Sequence, residues 1–547
     1  MTSIIQKPIL FVNWITLSKQ VPSKLIYGEE MMKKLFIFFA LNFFAGTIFF
    51  DALQVSAQVD RQEMEELCEA LEDLRLKDAY ILSASVVPAE DDLPEYCLVT
   101  GYVLPAIHFA IRMPTKNWNG KFLMDGCGGL CGRVQLSGYN KKGLKRNYAV
   151  SNMDSGHWGR NAIDGRWAYH NRNAERDWAW RAVHETAIVS KIVIERFYGH
   201  APEKSYFEGC STGGRQAIME ARYFPEDFDG IISVAPLVNN MTLYISHIWV
   251  LQKNTGADGK EIISSADLKF IADAVYAACD SIDGVKDGLI ADPRDCEFDP
   301  ASLLCENGES EGCLTPEQVA TLKAWYEAPK NSAGEILCPG GLTLGSEPYW
   351  QGITGGTTDI NDGLLPRLTL DYFRYVAFQD DPGENWNISD FDLDTDPPRL
   401  EYMGKYINPD DPDLENFRAR GGKLLIYHGW ADALVQPWTS MDYYDAVEKK
   451  IGDRAKTQEF LRLFLIPGMG HCGGWKVPGI TDESFEQLTQ LERWVEEGMP
   501  PDSLLMKKHA PDGSVEWTRP IYPYPLRTVY KGEGDVKSAS SYESKAY

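Results

Sequence analysis

The chain has 547 residues, 44% apolar and 12% aromatic, and its 54 basic against 79 acidic side chains give a net charge of −25. Such a composition supports a large core and excludes a disordered chain or a small disulfide scaffold. The acidic balance, with no run of five or more Lys/Arg, argues against nucleic acid or an anionic lipid surface as a partner. Eleven cysteines are many for a reducing compartment, and their odd number leaves at least one unpaired.

Met31-Met32-Lys33-Lys34 and the apolar run 35–50 read as the charged and hydrophobic parts of a signal peptide, with Val55-Ser56-Ala57 as the cleavage site before Gln58. The run contains Asn42 and is short for a membrane span of about 20 residues. Residues 1–30 read as an upstream extension, with translation starting at Met31 or Met32. Residues 1–57 carry five Lys/Arg against three Asp/Glu, so the mature chain from Gln58 has a charge of −27. A secreted or periplasmic protein without a membrane anchor is expected.

From about residue 97, short apolar runs alternate with helical patterns. Strands are expected at 121–125, 147–150, 204–208 and 230–235, with a helix over 175–198 closed by Gly199. After Pro236 the chain becomes rich in Asp, Gly, Pro and aromatics up to about residue 420, the texture of an insertion. Strands resume at 423–427 and 460–466, around a helix near 441–450, and a polar, proline-rich tail after residue 500 is expected to wrap the surface. One or two domains are anticipated, despite the length. The pattern is an α/β fold with a mostly parallel sheet, in which 58–236 and 421–547 form the two parts of one core and 237–420 an inserted domain.

Two stretches match G-x-S-x-G, a weak pattern taken alone. Gly308 to Gly312 lies in an acidic loop between two cysteines and reads as a solvated turn. Gly209-Cys-Ser-Thr-Gly213 follows a strand and opens a helix, the context of a nucleophile elbow, which makes Ser211 the candidate nucleophile. A serine hydroxyl needs a histidine base and an orienting carboxylate, usually in the order Ser, Asp, His. Four histidines lie beyond Ser211. His247 and His509 are expected at the surface. His471, in Pro467-Gly-Met-Gly-His-Cys-Gly-Gly474, follows the last strand and is the candidate base. His428-Gly-Trp-Ala-Asp432 follows the strand before it, which assigns Asp432 as the carboxylate and leaves His428 to packing or hydrogen bonding. Thr212 N–H and an N–H of Gly128 or Gly129, in the glycine-rich loop after residue 125, are the candidate oxyanion donors. If Ser211 meets His471, then Cys210 and Cys472 come within disulfide reach.

The motifs Gly-Cys-Ser-Thr-Gly-Gly-Arg-Gln, His-Gly-Trp-Ala-Asp and Gly-Met-Gly-His-Cys-Gly-Gly resemble those of the tannase and feruloyl esterase family, which includes mono(hydroxyethyl) terephthalate hydrolases. The resemblance runs from about residue 97 to the Lys531-Gly-Glu-Gly534 tail. It implies an α/β-hydrolase fold with a large inserted lid, the Cys210–Cys472 disulfide, and hydrolysis of small aromatic esters, or of phenolic esters on plant polysaccharide, through an acyl-enzyme. One departure is Tyr522, where many relatives carry a cysteine, so their C-terminal disulfide is expected to be absent.

Within the insertion, Asp280, Asp283 and Asp287 stand at spacings of three and four on a glycine-containing loop. Hard oxygen ligands there suit Ca²⁺, although the loop is not an EF-hand. Similarity to the family's lid implies a structural Ca²⁺ held by these three aspartates with the carbonyls of Val285 and Leu289, and no organic cofactor. It also implies Cys279–Cys296 and Cys305–Cys313 bridges. Cys68–Cys97 is a further expected pair, Cys127 and Cys131 are a possible one, and Cys338 is the simplest odd cysteine. The aromatic stretch 372–378 resembles a substrate-facing lid segment but is assigned to the core. Rival readings are a lipase or peptidase on the same fold, and a non-catalytic calcium-dependent glycan or phenolic binding protein.

Overall fold

Runs of apolar residues too short for helices form the central strands: β4 (Lys121–Asp125), β5 (Ala149–Met153), β6 (Lys204–Cys210), β7 (Gly230–Val234), β8 (Lys423–Gly429) and β9 (Leu461–Ile466). All are buried along nearly their whole length, as a parallel sheet covered on both faces requires. The computed structural model describes residues 61–306, 312–351, 363–481 and 485–546. The expected signal peptide and upstream extension at 1–57 lie outside the described residues, as does most of the second G-x-S-x-G stretch. The chain divides into two units, Met1–Met64 and Glu65–Tyr547; the described residues of the first, 61–64, are helical.

The second unit is built on a nine-stranded sheet of order β1-β2-β3-β5-β4-β6-β7-β8-β9. The strands from β5 to β9 pair in parallel. Three strands that the sequence reading did not anticipate, β1 (Ala79–Val87), β2 (Tyr96–Val103) and β3 (Ile107–Pro114), extend the sheet in antiparallel register. Helices α1 (Gly138–Lys145), α2 (Ala182–Tyr198) and α3 (Thr212–Tyr223) connect the parallel strands. The expected helix over 175–198 is helical throughout and continues back to Arg172, with a π-helical turn at Asp177–Arg181 leading into α2. The insertion leaves the sheet after β7 and returns at β8, with helix α4 (Asn240–Lys253) at its start. Helix α5 (Trp438–Ile451) then joins β8 to β9.

Helix α6 (Gln487–Glu497) turns Leu488, Leu491 and Trp494 inward at spacings of three, into one core cluster with Ile232, Leu425 and Phe464. Each such fully buried side chain stabilises by up to about 2–3 kcal/mol. The tail does not simply wrap the surface. It forms two antiparallel hairpins, β10 (Leu504–His509) with β11 (Val515–Ile521) and β12 (Leu526–Tyr530) with β13 (Tyr542–Ala546). Leu504, Met506, Trp517 and Ile521 alternate inward from the first hairpin and join the same cluster. The strand order, with a long insertion after β7, is that of an α/β-hydrolase. Among the described residues no helix is long and apolar enough to cross a membrane.

Candidate active site

In an open parallel sheet the loops leaving the carboxyl ends of adjacent strands converge, and reactive groups collect there. Register makes this concrete. Cys210 at the end of β6 pairs with Val234, which pairs with Tyr427, and β8 and β9 end side by side at Gly429 and Ile466. The next residues are Ser211, the loop to Asp432, and the loop to His471.

Ser211 sits between β6 and α3 at φ 63°, ψ −119°, a strained conformation for a residue with a side chain. The tightness of the turn explains the glycines: a Cβ on Gly209 would lie 2.6 Å from the backbone of Gly213. Ser211 N–H donates to Val234 O at 2.9 Å, tying the turn to β7.

Asp432 is fully buried and His471 is one-fifth exposed. His471 Nδ1–H donates to Asp432 Oδ2 at 2.7 Å, leaving Nε2 with its lone pair. Oδ1 of Asp432 accepts from the N–H groups of Leu434 and Val435 at 3.0 and 2.9 Å. Burial alone would raise this carboxyl, but His471 and His428 hold it well below the usual carboxylate range, so it stays ionised. His428 is fully buried, with Nε2 2.7 Å from Val435 O and 3.3 Å from Asp432 Oδ2. Donation to that carbonyl places the proton on Nε2, and Nδ1 accepts from Ser440 Oγ at 2.8 Å. His428 is thus a second positioning group for the carboxylate.

The serine and histidine loops are joined covalently. Cys210 and Cys472 form a disulfide across 262 residues with their Cα atoms 5.7 Å apart. A ring nitrogen of His471 and the two sulfurs all lie within 4.8 Å of one another. From the insertion, Tyr349 donates its hydroxyl to Gly468 O at 2.6 Å and accepts from Lys476 N–H at 3.0 Å, bracing both ends of the His471 loop. Burial pushes the Tyr349 phenol up to about 12, so it remains a donor. Thr343 Oγ1 donates to Trp430 O at 2.5 Å, which attaches the insertion to the Asp432 loop as well.

The glycine-rich loop after β4 lies against the start of α3. Thr212 Oγ1 donates to Gly129 O at 2.7 Å, and Cys127 N–H donates to Gln216 Oε1 at 3.2 Å. Thr212 opens α3, where N–H groups have no intrahelical acceptor. Gly128 faces open space, whereas Gly129 is pressed against Ala162 O. The Cys127–Cys131 disulfide closes the loop, and His157, stacked 3.7 Å from Trp167, contacts Leu130 O through Nε2 at 2.8 Å. Just before the loop, burial pushes the Asp125 carboxyl up to about 8, against Asn140 Nδ2 at 2.8 Å and the neighbouring Arg112.

One expectation about the histidines needs correction. His247 is buried, not at the surface, with Nε2 2.9 Å from Leu434 O beside Asp432, because α4 is packed on nearly every side. His509 is partly exposed on β10, with its main-chain N–H donating to Gly479 O at 2.7 Å. The aromatic stretch is core: Tyr372 stacks on Tyr244 at 3.5 Å and both are buried. Gln216, His157 and Tyr349 were not singled out from the sequence; of these only Gln216 lies within a motif, at its last position.

The remaining cysteines pair as Cys68–Cys97, Cys279–Cys296 and Cys305–Cys313, and Cys338 is free and buried. On the aspartate loop, Asp280 Oδ1 accepts from Asp287 N–H and Gly288 N–H at 3.1 and 2.9 Å. Asp283 Oδ1 accepts from Val285 N–H at 3.0 Å and Asp287 Oδ1 from Leu289 N–H at 3.1 Å, and Arg519 pairs with the other oxygen of Asp287. Burial raises the Asp283 carboxyl; Val285 N–H and Arg519 oppose this and the neighbouring aspartates reinforce it. The ligand atoms are all oxygen, which suits a hard cation, and among the described residues no donor to the second carboxylate oxygen of Asp280 or Asp283 is found.

A family model described as "Tannase and feruloyl esterase" matches residues 96–545. A mono(2-hydroxyethyl) terephthalate hydrolase from Piscinibacter sakaiensis is 31% identical over 524 residues, covering 83% of this chain and 85% of its own. A probable feruloyl esterase B-2 from Aspergillus terreus is 30% identical over 526 residues, covering 89% and 97%. The crystal structure of feruloyl esterase B from Aspergillus oryzae aligns with a TM-score of 0.79 at 28% identity, over 88% of this chain and 100% of that one.

Proposed function

The chain belongs to the tannase and feruloyl esterase family and is a carboxylic ester hydrolase, and from that premise we propose an exported serine esterase of phenolic carboxylic esters, acting through an acyl-enzyme on Ser211. The single observation that carries the mechanism is the 2.7 Å contact between His471 Nδ1 and buried Asp432, in a loop bonded by disulfide to the residue before Ser211.

Ser211 Oγ attacks the ester carbonyl while His471 Nε2 takes its proton. Asp432 holds the imidazole in the Nδ1–H tautomer and stabilises the imidazolium. The oxyanion is met by Thr212 N–H and by the N–H of Gly128 or Gly129 in the facing loop. The proton passes to the leaving alcohol, and water, deprotonated by His471, then releases the aromatic acid. Residues 237–420 act as the lid, braced on both catalytic loops through Thr343 and Tyr349.

Substrates are small aromatic esters or phenolic esters on plant polysaccharide, in keeping with the relatives named feruloyl esterase. Calcium is proposed as a structural ion of the lid, held by Asp280, Asp283 and Asp287 with the carbonyls of Val285 and Leu289, where it would neutralise three clustered carboxylates. Five disulfides among the described residues support an oxidising, extracytoplasmic location, and the proposed signal cleavage predicts a mature N-terminus at Gln58. The test is a kinetic panel of methyl ferulate, methyl gallate, mono(2-hydroxyethyl) terephthalate, a triglyceride and a peptide. Turnover of the phenolic esters well above the last two is expected; preference for triglyceride or peptide would overturn the substrate assignment.

A further inference from the structure

Away from the catalytic loops, His184 of α2, Glu220 near the end of α3 and Asp227 in the following turn bring one ligating atom each within 4.8 Å of one another. His184 Nδ1 is 2.6 Å from Asp227 Oδ2. Glu220 is only 1% exposed, and neither of its carboxylate oxygens has a hydrogen-bond partner among the described residues. A buried carboxylate without a donor is costly. The Asp227 carboxylate, with an oxygen within 4.8 Å, adds to that cost.

The surroundings do not remove the deficit. Lys191 donates to the main-chain O of Asp227, its ammonium is 4.0 Å from Asp227 Oδ1, and it acts on Glu220 only through space, so one cation faces two carboxylates. Asp229 and Arg420 act on Lys191 with opposite signs. Phe224 stacks on His184 at 3.9 Å and Phe228 lies under Lys191, which keeps the site dry. The His184 side chain is 25% exposed and provides an entry path.

We propose that His184, Glu220 and Asp227 form a binding site for a divalent first-row transition ion, with zinc as the probe. One imidazole nitrogen and two carboxylates are the donor set of such ions, and the imidazole disfavours Ca²⁺ and Mg²⁺. His184 Nδ1 would ligate in place of its contact to Asp227, with the ring proton on Nε2, and the exposed side leaves a position for water. Bound there, the ion ties the far end of the nucleophile helix to α2 and to the turn that leads into β7.

The experiment uses the full chain, treated with chelator, reloaded with Ca²⁺, and titrated with ZnCl₂. Wild type is expected to retain one more zinc per chain than Glu220→Gln or His184→Asn and to rise in Tm on zinc addition, with a zinc-edge spectrum showing only N/O neighbours at about 2.0–2.2 Å. Glu220→Gln, relieved of a buried carboxyl, should be at least as stable as metal-free wild type yet lose the zinc response, which separates ligation from general damage. Should Glu220→Gln fail to fold, His184→Asn, at the partly exposed side of the site, carries the comparison. Equal zinc retention and equal Tm response in wild type and variant, or no zinc retained by wild type, would overturn the proposal.

Discussion

Changing both Cys210 and Cys472 to alanine removes the one covalent link between the loops of Ser211 and His471, and its effects on stability and on rate can be worked out separately. The bridge closes 262 residues. Chain-entropy reasoning gives about 5–6 kcal/mol for a loop of that size, against about 2.5 kcal/mol for the eight-residue separation of Cys305 and Cys313. Residual structure in the unfolded chain makes both upper bounds. For the rate, His471 retains Asp432 and the bracing of its loop by Tyr349, so the imidazole is loosened rather than released. A displacement of about 1 Å costs on the order of 100-fold. The Cys210→Ala/Cys472→Ala enzyme should therefore lose about 10- to 100-fold in kcat with little change in KM, while the Cys305→Ala/Cys313→Ala control keeps its kcat. Urea denaturation and steady-state kinetics on methyl ferulate read the two effects. The reasoning is refuted if kcat survives within about twofold, or if the two double variants lose equal stability.

Asp432→Asn should lower kcat by about 10³- to 10⁴-fold with KM nearly unchanged, because it no longer holds His471 in the Nδ1–H tautomer; parallel kcat and KM measurements check it. Asp125 is raised to about 8 in the fold, so the folded chain keeps this proton from about pH 4 to 8 while the unfolded chain has released it, and stability falls as pH rises through that window. Asp125→Asn should flatten the slope in urea denaturation at pH 5 and pH 8, with a remainder from Glu347 and Asp154, which burial pushes up to about 7 and about 6, and from Glu220, which burial also raises. Chelation with EGTA should lower Tm in wild type and one equivalent of Ca²⁺ restore it, whereas Asp283→Asn should not respond; an unchanged wild-type Tm would remove calcium from the account.

The parallel centre of the sheet was legible because β4, β6, β7, β8 and β9 are buried on both faces and each carries a short apolar stretch bounded by helix or turn signals. The antiparallel strands were not. β1 exposes residues such as Tyr80, Leu82 and Ser83, and its alternation is blurred by a register shift between Ile81 and Ser83. In the tail, Lys507-Lys508 and Pro520 obscured a hairpin whose inward residues, Met506 and Ile521, are only part of each strand. The candidate serine, histidine and aspartate were legible because each lies within five residues of a strand end, in a loop that begins with or contains glycine. His428, four residues before Asp432, was read as a packing or hydrogen-bonding residue and is one, but Tyr349 and Gln216 act through contacts between segments distant in sequence, and His247 was misplaced because a nearly all-round buried helix gives no polar face to read.

The most direct test of the central claim is the fate of Ser211 during turnover. Wild-type enzyme mixed with a slow aromatic ester and quenched should yield a tryptic peptide containing Ser211 heavier by the aroyl group, with a burst of about one alcohol per chain. Ser211→Ala should give neither, and its kcat should fall by about 10⁴- to 10⁶-fold while its circular dichroism stays unchanged. A burst or near-normal turnover in Ser211→Ala, or an acyl group found on another residue, would contradict the account.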